Sequence, residues 1–176
     1  MTEVPAFFLD RDGVLIEDCG YPHRPEDLVL TKGAAAAVRR MNRLGYLTVI
    51  VTNQSGVARG LFSEDQMYAF NALLVQRLAE EGAVIGPVYH CPFHRDAQDE
   101  RYRHPDHPDR KPNPGMLLRA IAEHGIDPAR SFMIGDQPSD MEAARRAGVR
   151  GLLFEGGDLD ELTRQAIGDP TDASPA

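Results

Sequence analysis

The sequence predicts an α/β fold, a three-layer sandwich with helices on both faces of a mostly parallel central β-sheet. Short apolar runs rich in β-branched residues alternate along the chain with longer segments whose apolar residues recur at helical spacing. This alternation is typical of β-α-β units, which form parallel sheets covered by helices. The sequence has no internal repeat, and its 176 residues suit one domain, residues 1–176, with a full hydrophobic core.

Five apolar runs are predicted to be the strands. The first, residues 6–9 (AFFL), stops at a polar turn, and the second, residues 46–51 (YLTVIV), has the β-branched composition of a buried strand. The other three are predicted at residues 83–90, 131–134 and 149–154. Runs this short and this apolar are expected in a sheet that is covered on both faces.

Four helices are predicted between or after these strands, at residues 34–44, 63–82, 115–125 and 139–147. The second has the clearest start, because Ser63 can cap it and Gln66 lies three positions further on, as in a capping box. Residues 91–114 contain five of the thirteen prolines and are predicted to form an ordered loop insert. The tail, residues 169–176, is predicted to be disordered.

The composition excludes several classes of partner. A formal net charge of −8 argues against nucleic acid or an anionic membrane as the partner, since either would need a basic face. No apolar stretch approaches the roughly 18 residues of a membrane helix, and the N-terminus lacks the pattern of a signal peptide. The two cysteines do not suggest a disulfide scaffold. We therefore expect a cytoplasmic monomer whose partner is a small molecule.

Polar residues follow three of the predicted strands. They are Asp10 and Asp12 after the first, Thr52 and Asn53 after the second, and Asp136 after the fourth. Ligands of such sheets bind beyond the carboxyl ends of the strands, so we expect these side chains to converge. A further stretch, Arg110-Lys111-Pro112, precedes a predicted helix and can bring cations to the same edge.

This mixture of carboxylates, a hydroxyl, an amide and cations suits phosphoryl transfer. Carboxylates can hold Mg²⁺, which prefers oxygen ligands and offsets the charge of a phosphate. One carboxylate can attack phosphorus to form an aspartyl-phosphate, and a second can protonate the leaving oxygen and then activate water. A lysine and a hydroxyl can hold the equatorial oxygens, where charge spreads in the transition state.

Four motifs carry a family resemblance. FFLDRDGVL, VTNQSG, RKPNPGM and MIGDQPSDMEAA resemble, in order, the four motifs of the haloacid dehalogenase (HAD) superfamily and span residues 6–144. Finer features, among them GYPHRPEDL and CPFH, are similar to the branch of D-glycero-D-manno-heptose 1,7-bisphosphate phosphatases and histidinol-phosphatases. The resemblance implies a Rossmann-like, HAD-like domain without a cap domain, since the stretch from Asp12 to Thr52 is too short for one.

The resemblance also implies roles for the matching residues. Asp10 would be the nucleophile and Asp12 the general acid/base, while Thr52 and Lys111 would hold the transferring phosphate. Mg²⁺ would be bound by Asp10, a backbone carbonyl of the Arg11-Asp12 segment and Asp136. The remaining assignments are substrate contacts by Asn53, Arg59 and Arg110, and support of the metal and of Lys111 by Asp140.

The substrate that the resemblance implies is a small phosphorylated sugar, heptose 1,7-bisphosphate, with histidinol phosphate as the alternative. Gln137 departs from the branch, whose heptose enzymes often have a lysine after the aspartate of the fourth motif. The loss of that cation weakens the specific heptose assignment and leaves the general chemistry intact. A phosphate-binding domain without activity is disfavoured, because both carboxylates of the first motif are present.

The branch commonly carries a structural zinc site, Cys-x-His followed by Cys-x-Cys, and this sequence departs from it. Cys91 keeps the first position, but Phe93, His107 and Asp109 occupy the other three. One cysteine with three histidines can also bind zinc. That alternative set is Cys91, His94, His104 and His107. The other interpretation is that these histidines are solvated or pack the loop without a metal, and the sequence leaves both open.

Overall fold

The computed structural model describes residues 3–169 and shows five parallel strands in one sheet. The strands are β1 (Ala6–Leu9), β2 (Leu47–Asn53), β3 (Val88–Cys91), β4 (Phe132–Gly135) and β5 (Arg150–Leu153). Their order in the sheet is β3-β2-β1-β4-β5, which places β1 at the centre. The chain therefore reverses direction across the sheet between β3 and β4, and the ends of β1, β2 and β4 meet at this switch point.

Helices cover both faces of the sheet. They are α1 (Ala34–Arg43), α2 (Ser55–Ala58), α3 (Glu64–Glu80), α4 (Gly115–His124), α5 (Pro138–Arg146) and α6 (Leu159–Ile167). The alternation of side chains along β1 divides the core in two, because Phe7 and Leu9 point to one face and Ala6 and Phe8 to the other. The first face packs against α1, α3 and α6, and the second against α4 and α5. The predicted three-layer α/β fold is confirmed.

Local sequence signals explain where the best-predicted elements begin. All four residues of β1 are fully buried, as its uninterrupted apolar composition indicates. At the start of α3, Ser63 Oγ accepts the Gln66 N–H at 3.1 Å and Gln66 Oε1 accepts the Ser63 N–H at 2.9 Å. This reciprocal pair is the capping box that the sequence predicts.

The third strand begins later than predicted, at Val88 rather than at residue 83. The backbone N–H of Val84 donates to Asn42 Oδ1 at 2.9 Å, and its carbonyl accepts the Thr48 hydroxyl at 2.7 Å. The hydrogen-bonding groups of the Val84 backbone are therefore paired with side chains and not with a neighbouring strand. Ala83 and Ile85 still lie in the core, which explains the apolar run that suggested a longer strand.

Two helices, α2 and α6, were not predicted. The loop insert has a defined shape with one short 3₁₀ turn at Glu100–Tyr102. Of the predicted tail, residues 170–176 lie outside the described residues. No helix among residues 3–169 has the length and apolar composition needed to cross a bilayer.

Candidate active site

A cavity of about 170 Å³ lies at the carboxyl ends of β1, β2 and β4. Its lining residues are Asp10, Asp12, Asp18, Asn53, Lys111, Asp136, Gln137, Ser139 and Asp140. The structure thus brings together six of the residues that the sequence singled out. Asp18, Gln137 and Ser139 also line the cavity. Of these three, the sequence indicated only Gln137, as a departure from the branch.

A larger groove lacks the lysine and the converging carboxylates of this cavity. It measures about 550 Å³ and runs between the start of α3 and the 3₁₀ turn at Glu100–Tyr102. Its charged side chains, Glu64, Asp99 and Arg101, are already hydrogen-bonded to neighbours within the groove or beside it. The smaller cavity is the candidate site because carboxylates converge there.

Lys111 connects two buried carboxylates at the base of the cavity. Its Nζ lies 3.0 Å from Asp10 Oδ1 and 2.6 Å from Asp140 Oδ1, and it also donates to the Val51 carbonyl. Asp10 Oδ1 accepts a second hydrogen bond from the Arg11 backbone N–H at 2.9 Å. Asp10 Oδ2 accepts none from the described residues and is not enclosed. One oxygen of Asp10 is therefore fixed, and the other is accessible for attack.

Burial and ion pairing act in opposite directions on this group. Burial raises the pKa of Asp10 to about 8, against the attraction of Lys111, which lowers it. Burial alone would lower the pKa of Lys111, but Asp10 and Asp140 outweigh that effect and raise it. The lysine therefore stays charged, and one further positive charge at the site would favour the ionised, nucleophilic form of Asp10.

Asp10, Asp136 and Asp140 form the one group of three or more potential metal ligands among residues 3–169. Asp140 is already engaged, because its Oδ2 accepts the backbone N–H groups of Asp136 and Gln137. Asp136 Oδ1, by contrast, is buried without a hydrogen-bond partner. A buried carboxylate oxygen that lacks a partner fits a hard cation, as does an excess of carboxylates over the single lysine.

Gly13 is required where the first motif passes Asp136. Its φ of +82° is in the left-handed region, and a Cβ there would lie 2.2 Å from Asp136 Oδ2. We predict that Gly13→Ala displaces the Asp136 carboxylate and weakens Mg²⁺ activation at least about tenfold, measured as the Mg²⁺ concentration for half-maximal activity. Gly45→Ala is the control, since it shares a positive φ but has no neighbour within 4 Å. Equal Mg²⁺ requirements in the two variants would contradict the prediction.

Asp12 is held by residues that the sequence did not single out. Arg11 Nε lies 2.7 Å from Asp12 Oδ1, and Gln54 Nε2 donates to Asp12 Oδ2 at 3.3 Å. The same Gln54 nitrogen donates to Thr52 Oγ1 at 2.8 Å. Thr52 is fully buried, so its predicted contact with phosphate stays a prediction. Gln54 directly follows Thr52 and Asn53 in the sequence, and this position is the feature from which its place in the site could have been predicted.

Asn53 positions the segment that carries Lys111. Its Oδ1 accepts the Lys111 backbone N–H and its Nδ2 donates to the Lys111 carbonyl, both at 3.1 Å. This reciprocal pair joins the end of β2 to the stretch before α4. Asn53 also lines the cavity, where the substrate contact predicted for it stays a prediction.

Three arginines, two of them predicted to contact substrate, lie near one another around Arg110, but none of them lines the cavity. Arg110 precedes Lys111, and burial, followed by repulsion from Arg59 and Arg95, lowers its pKa. His94 lies among them, with Nε2 at 3.4 Å from an Arg59 nitrogen, and its pKa is lowered by burial and then by Arg110 and Arg59. Within residues 3–169 none of the three arginines forms an ion pair with a carboxylate. We call Arg59, Arg95 and Arg110 the arginine cluster.

The alternative zinc set is not assembled. Cys91 Sγ and His107 Nδ1 lie 4.0 Å apart, and among the described residues no third ligand joins them. The Nδ1 atoms of His94, His104 and His107 each accept the backbone N–H two residues further on. Phe93 stacks on His107, with ring centroids 4.1 Å apart and planes at 4°. Ring packing therefore occupies the place of the second zinc ligand.

Comparisons with known proteins agree with this geometry. Residues 109–174 match the family described as HAD-hydrolase-like. The chain is 45% identical over 164 residues to a D-glycero-beta-D-manno-heptose-1,7-bisphosphate 7-phosphatase of Rhodopseudomonas palustris, covering 93% of this chain and 90% of that protein. A protein of the same name from Photorhabdus laumondii is 42% identical over 94% of this chain and 89% of its own length.

Solved structures give the same result. An HAD-like phosphatase from Mesorhizobium loti superposes with a TM-score of 0.84 at 42% identity, covering 88% of this chain and 74% of that one. The D,D-heptose 1,7-bisphosphate phosphatase of B. bronchiseptica, complexed with magnesium and phosphate, has a TM-score of 0.75 at 30% identity, covering 94% and 88%. The chain therefore belongs to the HAD-like phosphatases, in the branch of the D-glycero-D-manno-heptose-1,7-bisphosphate phosphatases.

Proposed function

We propose that this chain is a Mg²⁺-dependent phosphatase that removes the 7-phosphate of D-glycero-D-manno-heptose 1,7-bisphosphate. The observation that supports the proposal best is the Asp10–Lys111 pair in the cavity, together with the arginine cluster around Arg110, the residue before Lys111. The pair can receive one phosphate, and the cluster offers positive charge for a second. The relatives' names and the magnesium and phosphate of the B. bronchiseptica enzyme agree with this assignment.

The geometry supports a reaction in two steps. In the first, Asp10 Oδ2 attacks the phosphorus, the ester bond breaks and the Asp12 carboxyl group gives its proton to the leaving sugar oxygen. In the second, the Asp12 carboxylate takes a proton from water, which attacks the aspartyl-phosphate and releases phosphate. Lys111 holds Asp10 in place throughout. Mg²⁺, held by Asp10, Asp136 and a backbone carbonyl of the Arg11-Asp12 segment, would supply charge neutralisation.

The charge of the arginine cluster favours a bisphosphate over histidinol phosphate. Histidinol phosphate carries an ammonium group and an imidazole beside its single phosphate. Arg59, Arg95 and Arg110, which lack carboxylate partners among the described residues, would repel the ammonium and attract a second phosphate. The branch's lysine is replaced by Gln137, which lines the cavity, so one cation is lost there. The cluster provides three cations around Arg110, the residue before Lys111.

A panel of phosphate esters tests the proposal. We expect kcat/KM for D-glycero-D-manno-heptose 1,7-bisphosphate to exceed that for histidinol phosphate by at least about tenfold, with activity lost in chelator and restored by Mg²⁺. Product analysis is expected to show the 1-phosphate. A preference for histidinol phosphate, or full activity without a divalent cation, would refute the proposal.

The arginine cluster gives a second, sharper prediction. Arg110→Gln is expected to raise KM for heptose 1,7-bisphosphate about 10–100-fold, because hydrogen bonds to a charged group contribute about 1.5–3 kcal/mol. KM for heptose 7-phosphate, which lacks the second phosphate, is expected to change little. Arg164→Gln is the control, since Arg164 pairs with Glu161 on the same helix, α6, and neither residue lines the cavity or adjoins Arg110. A similar rise for both substrates would contradict the assignment.

A further inference from the structure

Arg11 is the largest fully buried side chain among the described residues. Its guanidinium lies within hydrogen-bonding distance of five acceptors, which are both Asp12 carboxylate oxygens, Asn71 Oδ1, Gln54 Oε1 and the Pro22 carbonyl. Three of them share the two hydrogens of Nη2. It also lies over the Phe70 ring, 4.7 Å from the centroid. Burial of a charge is costly unless the charge is paired and hydrogen-bonded, and Asp12 is the one carboxylate paired with Arg11 within residues 3–169.

The pairing fixes the plane of the Asp12 carboxylate. Arg11 Nε lies 2.7 Å from Oδ1, and the terminal Nη2 lies 3.1 Å from Oδ2. Two parallel hydrogen bonds from one planar group specify both the position and the orientation of a carboxylate. Asp12 nevertheless lines the cavity, and its side chain remains 22% exposed.

Arg11 is in turn held by Asn71 and Phe70, which do not line the cavity, and by Gln54, which also contacts Asp12. Asn71 Oδ1 on α3 accepts the Nη1 hydrogen bond at 2.9 Å, and Gln54 Oε1 accepts from Nη2 at 3.1 Å. Phe70, next to Asn71 on the same helix, supports one face of the guanidinium. The orientation of Asp12 therefore depends on side chains from α3 and from the segment after β2.

We infer that Arg11, anchored by Asn71, is a positioning residue that aims the Asp12 carboxyl group at the leaving oxygen and then at the attacking water. The inference rests on the acid–base role proposed for Asp12. An alkoxide is a poor leaving group, so breaking a sugar ester requires the proton from Asp12 in the first step. A nitrophenolate leaves without a proton. Misplacing Asp12 should therefore slow the first step for sugar phosphates much more than for nitrophenyl esters.

The experiment compares single-turnover phosphoryl transfer from heptose 1,7-bisphosphate and from 2,4-dinitrophenyl phosphate. We expect Arg11→Met to slow transfer from the sugar ester about 100-fold and from the aryl ester less than about threefold. Asn71→Leu removes one anchor of Arg11 together with an amide nitrogen that has no partner, and it should show the same selectivity with a smaller loss. If Arg11→Met does not fold, the result for Asn71→Leu tests the inference in its place.

Two further variants separate the possible failures. Arg40→Met is the control for loss of a paired arginine. Arg40 Nε and Nη2 lie 2.8 and 2.9 Å from the two carboxylate oxygens of Asp160, and neither residue lines the cavity. This variant should lower stability without slowing one ester more than the other. Asp12→Asn should show the selectivity at full strength. If Asp12→Asn is selective and the folded Arg11 or Asn71 variants slow both esters equally or not at all, the inference about Arg11 is wrong. If Asp12→Asn itself lacks selectivity, the acid–base role in the proposed function is wrong.

Discussion

Replacement of Asp10 by Asn is expected to lower kcat on the order of 10⁴-fold or more while the chain still folds. Among residues 3–169, Asp10 Oδ2 is the carboxylate oxygen beside the Lys111 ammonium that has no hydrogen bond and is not enclosed, and an amide cannot take its place as the nucleophile. Steady-state turnover and trapping of the phosphoenzyme with labelled substrate measure the effect. Turnover near that of the unchanged enzyme would refute the nucleophile assignment.

The same variant should be more stable than the unchanged chain at high pH when no metal is bound. The pKa of Asp10 is raised from 3.8 to about 8 by burial, so the protonated carboxyl group contributes stability below pH 4 that is lost as pH rises through 8. Asn cannot ionise and avoids this loss. We expect its Tm in chelator to exceed that of the unchanged chain at pH 8 by at least about 2–4 °C, the shift for 1 kcal/mol in a chain of this size. The difference in Tm between Asp10→Asn and the unchanged chain should be smaller at pH 5 than at pH 8.

The second large effect is expected for Lys111→Met. Its removal leaves the carboxylates of Asp10 and Asp140 buried and close together without a cation. Removing one partner of a buried pair costs about 3–5 kcal/mol, which corresponds to a fall in Tm of about 10 °C. Turnover should fall about 10³-fold, because the cation that holds Asp10, and that we propose holds the transferring phosphate, is lost. Thermal unfolding and kcat are the measurements.

Two controls test the cause of that loss. Lys32→Met removes a surface pair, in which the ammonium lies 3.6 Å from Asp158 and is 79% exposed, and should cost less than about 1 kcal/mol. Asp140→Asn added to Lys111→Met should recover part of the stability, since it removes one of the two opposed carboxylates. No recovery in the double variant, or a loss equal to that of Lys32→Met, would contradict the electrostatic explanation.

The sheet and the carboxylate cluster were predictable because their signals are local. The AFFL run fixes the central strand, and the residues that follow β1, β2 and β4 must meet at the switch point of a parallel sheet. Helix α3 was predictable from its capping box. Helix α2 has only four residues, too few for an apolar period. Helix α6 has a local signal in the sequence, because Asp158 caps its start.

The parts of the site that the sequence did not reveal depend on contacts between distant segments. The role of Arg11 comes from Pro22, Gln54 and Asn71, which lie on three different stretches of the chain. Residue spacing alone does not show that they meet. The histidines of the loop insert illustrate the same limit, since spacing permits a ligand set but the side-chain orientations decide whether one forms.

The stacked Phe93 and His107 rings have a consequence for the conditions in which this protein can work. Burial raises the pKa of the neighbouring Cys91 thiol to about 11, so it stays protonated and reacts slowly with oxidants. The loop that carries Arg95 and ends at Arg110 is held by the stacked Phe93 and His107 rings and by hydrogen bonds from backbone N–H groups to its histidines. Neither contact requires the Cys91 thiol to ionise. A loop held in this way would keep Arg95 and Arg110 in place under peroxide stress.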